Sequence, residues 1–300
     1  VMGDPGTAER LDMPHYAYVF TVFKKNNGGF EVKKIIGTDL YEGDKTDGEV
    51  WTAVDTLYTG GDVVYRCLVN LAETTPMLGQ VEYCHVYAAL SKLPLTLSNN
   101  DPLTEDEVRN ITFTVSDELQ TELQNIYSTP YNNNVDGRYY ATVDVRQNEL
   151  TTDILLYHVA SKVDLLWNVD SDKQQSMRIT KIKAKNLFKG ESYLFRPTEN
   201  VHTEFTSSDG FTPADLVGDA PGTWWAGRTY FYTIPYCTVL GGQFPMQVDF
   251  DVKNTDTDIT YTRQVTMRKT IGEVFVPWLR GQLTFSTTPT QNQTQDIDVD

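Results

Sequence analysis

The feature that most constrains this chain is a strand-like side-chain pattern with a period of two, which recurs along nearly its whole length. A β-strand turns successive side chains to opposite faces, so a period of two reads as strand where 3.6 would read as helix. AYVFTVF (17–23) and FEVKKII (30–36) are strand-like runs joined by KKNNGG, whose Asn and Gly residues suit a hairpin turn. VVYRCLV (63–69), VEYCHVY (81–87) and RYYATVDV (138–145) carry the habit through the first half. In the second half KIKAK (181–185) alternates charge with apolar residues. FPMQVDFDV (244–252) places Phe244, Met246, Val248, Phe250 and Val252 on one face, with Gln247, Asp249, Asp251 and then Lys253 on the other. That is a strand wet on one side only. DITYTRQVTMR (258–268) follows the polar turn KNTDT and predicts a second hairpin.

Helical signals are few. In PLTEDEVRNI (102–111), Thr104 with Glu107 three positions later reads as a capping box. In SDELQTELQNIY (116–127), Ser116 stands as N-cap before a first turn of acids, and Leu119, Leu123 and Ile126 share a face. One or two short helices are therefore predicted in an otherwise all-β chain.

Length then sets the number of cores. Three hundred residues is long for one core, and 40% hydrophobic with 12% aromatic residues can fill two. Strand-dominated sequence on both sides of residue 148 predicts two tandem β-sandwiches, residues 1–147 and 148–300, the second with a polar C-terminal tail. ILLYHVASKVDLLWNV (154–169) sits at the threshold. Val163, Leu165, Trp167 and Val169 share one face with Asp164 and Asn168 opposite, the pattern of a half-buried strand entering the second sandwich.

Charge and motifs narrow the function classes. A net charge of −16 repels phosphate, which argues against nucleic acid as a partner and against adsorption to an anionic membrane surface. No run approaches the ~20 apolar residues that span a bilayer. The opening VMGDPGTAER lacks a charged-then-apolar leader and reads as a mature or trimmed chain. The sequence contains no GxSxG, HExxH, P-loop or dinucleotide glycine signature. His15, His85, His158 and His202 are scattered, and His85 and His158 read as hydrogen-bonded strand residues rather than bases. NTDTD (254–258) alternates like the start of a calcium loop, but Ile259 and Val265 stand where a turn glycine and a bidentate Glu belong, so a hairpin turn is expected. No enzyme, metal or cofactor is predicted.

Three cysteines leave two readings open: Cys67 and Cys84 pair with Cys237 left over, or the thiols are free and buried. GTWWAGRTYFYTIPY (222–236) is the densest aromatic stretch. Trp224 and Trp225 offer either a sugar-stacking platform, which would make the protein a carbohydrate-binding surface lipoprotein, or a core plug beside a loop cover.

The order of these elements resembles the fimbrillin family of Bacteroidales, the type V pilus subunits and their cell-surface relatives. The resemblance rests on AYVFTVFKKNNGGFEVKKII and on YTGGDVVYRCLVNLAE with Gly61, Tyr65 and Val69-Asn70, where Cys67 departs from the family's pattern. It continues through His158, Ala160, Lys162 and Val163, then Ile179, Ile182, Ala184 and Asn186, with His158 where an arginine is common. It ends in VFVPWLRGQLTF with Pro277, Trp278 and Arg280, so that it covers residues 16 to 285. The resemblance implies two tandem transthyretin-like sandwiches, export as a lipid-anchored precursor and display on the outer membrane surface in a fimbrium. It also implies assembly with other fimbrial subunits by strand exchange after a protease cut, for which Arg10 is the nearest basic residue, and adhesion to a host or bacterial surface protein or glycan. The C-terminal TTPTQNQTQDIDVD (287–300) is less apolar than a good donor strand, which directs the expectation to a tip, accessory or anchor role.

Overall fold

The computed structural model describes residues 14–39, 49–50, 57–59, 62–64, 68–69, 80–129, 140–143, 154, 156–168, 172–173, 175–196, 205–206, 215–216, 226–234, 247–266, 270–271 and 274–275. It is an all-β fold of antiparallel sheets, and the described residues include two short α-helices, Glu105–Arg109 and Asp117–Gln120. The chain divides into two compact units. One takes Val1–Thr114, Gln124–Val159 and Glu191–Pro197; the other takes Val115–Leu123, Ala160–Gly190 and Thr198–Asp300. Tyr157–His158 pairs with Ile126–Ser128 in the first unit, and Ser161–Asn168 pairs with Ala226–Thr233 in the second. The chain passes between the units five times, once within the stretch 154–169, after Val159.

The first unit is built on a sheet ordered Tyr157–His158, Ile126–Ser128, Val81–Ser91, Tyr16–Lys25, Phe30–Asp39, with Ala141–Val143 also on Val81–Ser91. Tyr16–Lys25 is buried along nearly all its length, on both faces. This explains why AYVFTVF is a continuous apolar run instead of a strict alternation: a strand covered above and below has no wet side to mark. On one face Phe20 and Tyr87 meet Phe195 edge-on, with ring centroids 5.8 and 5.5 Å apart. On the other face Val19, Phe23, Ile35, Cys84, Val86 and Ala88 form a second cluster, closed by Ala141, Ile154 and Leu156.

The second unit shows the one-sided case. Met177–Lys185, Gln247–Asn254 and Ile259–Thr266 form a three-stranded sheet. Met177, Ile179, Ile182, Ala184, Val248, Phe250 and Val252 fill its buried face. The opposite face carries charge, yet Asp249 there is only 7% exposed. Lys185 pairs with its carboxylate, and Gln264 Nε2 donates to it at 2.8 Å.

The helices follow their caps. Thr104 Oγ1 accepts from the Glu107 N–H at 3.2 Å, and the Glu107 carboxylate reaches back to the Leu103 N–H at 2.7 Å, one residue before the reciprocal partner of a standard box. Ser116 caps Asp117–Gln120 through the Leu119 N–H at 3.1 Å. The expected face of Leu119, Leu123 and Ile126 is corrected: the helix stops at Thr121, a 3-10 turn spans Leu123–Asn125, and Ile126 begins a strand. Local propensity yields there to sheet pairing, since the Ile126 carbonyl accepts from Val159 N and Ser91 lies opposite Ile126. The run VVYRCLV is likewise divided, with Asp62–Val64 paired to Leu57–Thr59 and Leu68–Val69 paired to Glu49–Val50.

Candidate functional site: an open strand edge beside a closed polar knot

The polar chemistry of the first unit is concentrated on Val81–Ser91. Its residues Tyr83, His85 and Tyr87 lie two apart and share a face, and all three turn to one carboxylate, Glu105, the first residue of its helix. Tyr83 donates to Oε2 at 2.7 Å and Tyr87 to Oε1 at 2.8 Å, while His85 Nδ1 meets Oε1 at 2.6 Å. The His85 ring is sandwiched between Tyr83 and Tyr140, at centroid distances of 4.0 and 3.7 Å. Glu105 is 8% exposed. Burial alone would raise its pKa, but hydrogen bonds from His85, Tyr83 and Tyr87 and the charge of His85 outweigh it and bring the carboxyl down to about 2. Burial, together with the bonded carboxylate, pushes both phenols well above their ordinary value.

The carboxylate has three donors, and both faces of the imidazole are covered. A group engaged in this way holds a helix to a sheet and offers a substrate little purchase. His85 is a hydrogen-bonded strand histidine, and so is His158, whose Nδ1 lies 2.9 Å from the Gln124 carbonyl. The cluster was not singled out from sequence, although its signal is there: aromatic residues with polar tips recur at positions 83, 85 and 87 of a strand. Cys84, on the opposite face, is a free thiol, and burial pushes its pKa up to about 12, which makes it inert.

The turn at 254–258 is also spent on structure. Asn254 Oδ1 accepts from the N–H groups of Asp256 and Thr257 at 2.9 and 3.2 Å, and Asp258 meets Lys253 at 2.6 Å. These are the bonds of a hairpin turn. Among the described residues no group of three His, Cys, Asp or Glu side chains is placed to hold a metal. No described helix is long and apolar enough to cross a membrane. Arg10, Trp224, Trp225, Cys67 and Cys237 lie outside the described residues.

Among the described residues the first unit also presents an edge strand. Phe30–Asp39 pairs with Tyr16–Lys25, and among the described residues no strand lies on its outer side. The register fixes which groups point out. Lys25 N donates to Gly29 O at 2.8 Å, and antiparallel pairs alternate from there, so Glu31, Lys33 and Ile35 turn their main-chain groups inward. Phe30, Val32 and Lys34 turn theirs outward. Near the far end a bulge lies where Ala17 gives way to Tyr18, and Gly37 takes φ +62, a conformation that favours glycine. The edge side chains are half-buried and carry charge: Glu31 meets Lys25 at 2.9 Å and Lys33 at 3.5 Å, and Lys34 pairs with Asp101.

By fold the protein is thus an antiparallel all-β protein; among the described residues its polar cluster is closed and the strand Phe30–Asp39 has a neighbour on one side only. No family model matches its sequence, and no curated protein matches it. Solved structures do resemble it. A candidate cell adhesion protein of Parabacteroides distasonis matches with a TM-score of 0.43 and 13% identity, over 89% of this chain and 76% of that one. A candidate adhesin of Bacteroides ovatus matches with a TM-score of 0.40 and 10% identity, over 83% of this chain and 70% of that one. Another, of Bacteroides thetaiotaomicron, matches with a TM-score of 0.37 and 8% identity, over 82% and 71% of the two chains.

Proposed function

We propose that this protein is a non-enzymatic cell-surface subunit that acts in adhesion and fimbrial assembly by β-strand complementation. The observation that carries the reading is the ten-residue strand Phe30–Asp39, which among the described residues has no strand on its outer side. An edge of outward N–H and C=O groups is a template for another strand: main-chain bonds supply affinity, and alternate side chains set register. The sequence resemblance to fimbrillins supports the same use, with two transthyretin-like sandwiches, a lipid-anchored precursor on the outer membrane and a processing cut after Arg10. Within this reading the subunit is a tip, accessory or anchor component.

The test is assembly itself. The protein is cut with an arginine-specific protease and followed by light scattering and electron microscopy, beside a Val32→Pro variant. The Val32 N–H points outward, so proline there removes an edge donor and leaves the hairpin's own bonds in place. Self-association that rises on cutting and is weakened by Val32→Pro is expected. Cut protein that stays at its starting mass would overturn the reading.

A further inference from the structure

The charges along the open edge are self-complementary. We propose that Phe30–Asp39 pairs antiparallel with the same strand of a second copy, Val32 opposite Val32, to form a closed two-fold dimer. The inference rests on the reading of this edge as a strand-pairing site and names a partner for it.

The register follows from three constraints. First, a two-fold axis through a continuous sheet keeps each face on its own side, so residues facing across it are an even number of positions apart in sequence, or identical. Second, the outward groups belong to Phe30, Val32 and Lys34, so these must form the hydrogen-bonded pairs. With Val32 on the axis, Phe30 lies opposite the partner's Lys34, Lys34 opposite the partner's Phe30, and about six main-chain bonds close. Third, the non-hydrogen-bonded pairs, whose side chains approach most closely, must not set like charges together. With Val32 on the axis Glu31 faces the partner's Lys33, twice.

Shifting the axis by one residue towards the C-terminus sets Lys33 against Lys33. One residue the other way sets Glu31 against Glu31. Only the Val32 register of these three is free of a like-charge clash, and it adds a lysine over an aromatic ring at each end. The chain already uses that contact within itself, with Lys24 Nζ 4.0 Å from the Phe30 ring centroid. The two lysines and the bulge that would protect a solitary edge from indiscriminate pairing here select one partner. Because most of the contact is main chain the dimer is weak, and it is sought at concentrations up to about 1 mM.

Sedimentation velocity of the uncut full chain across that concentration range tests the pairing. Glu31→Lys alone and Lys33→Glu alone should each weaken the dimer by roughly tenfold or more, since two attractive pairs become repulsive. An equimolar mixture of the two variants should dimerise again, because one species then carries only cations at these positions and the other only carboxylates. The double variant Glu31→Lys/Lys33→Glu should dimerise by itself. Recovery in the mixture also shows that the single variants fold. Wild-type protein that stays monomeric throughout, or a dimer indifferent to these charges, overturns the proposal. In that event, protease-cut chains that still polymerise and lose this with Val32→Pro leave strand complementation standing; cut chains that remain monomeric remove both.

Discussion

Val81–Ser91 and Phe30–Asp39 lie in one sheet, on opposite sides of Tyr16–Lys25, and they treat their polar groups in opposite ways. The first is flanked by strands on both sides, so its main chain is engaged, and the polar tips of Tyr83, His85 and Tyr87 are gathered on Glu105. The second carries half-buried charged side chains, and among the described residues no strand takes up its outward main-chain groups. Where hydrogen-bonding capacity is closed it fixes the fold, and where it is open it is available to a partner. The difference directs attention away from the cluster that looks most like an active site and towards the edge.

The sharpest way to break this contrast is to remove packing beneath it. Phe20 is fully buried between the two strands and meets Phe195 edge-on, so Phe20→Ala should cost about 4 kcal/mol in denaturant unfolding. Glu105→Ala should cost about 3 kcal/mol, because it leaves the buried Tyr87 and the half-buried Tyr83 and His85 without their acceptor. The same carboxylate gives a pH signature. Its folded pKa of about 2 lies below the ordinary 4.5, so its contribution, about 3 kcal/mol, is complete above pH 4.5 and is lost as pH falls towards 2. Urea melts of wild type and Glu105→Gln should therefore converge through that window. Tyr87→Phe deletes one bond to the carboxylate and should cost about 2 kcal/mol. Thr104→Ala removes the helix N-cap for about 1 kcal/mol. At the small end, Lys33→Ala should change unfolding by less than about 0.5 kcal/mol while it weakens self-association. A large folding effect at Lys33, or a small one at Glu105, would erase the distinction between the two strands.

Much of the fold was legible because it is written in local pattern. KKNNGG marks the turn between Tyr16–Lys25 and Phe30–Asp39, and KNTDT marks the turn before Ile259–Thr266. Thr104 and Ser116 announce their helices because a cap is a bond between near neighbours. What escaped depends on distant partners. Nothing around Ile126 says that Val159 will take its carbonyl, so a helical spacing reads past the point where a strand begins. Glu105 sits among several acids, and only the sheet's register brings it to Tyr83, His85 and Tyr87. The open edge is harder still to read, because FEVKKII has the same alternation whether one neighbour or two will pair with it.

The most direct test of the edge is residue-resolved amide exchange along Phe30–Asp39, measured by NMR in dilute and concentrated protein. In dilute protein the amides of Phe30, Val32 and Lys34 should exchange fast while those of Glu31, Lys33 and Ile35 are protected, and concentration should protect all six. Slow exchange at Phe30, Val32 and Lys34 in dilute monomer, or no change on assembly, would contradict the claim that this strand is where the protein joins its partners.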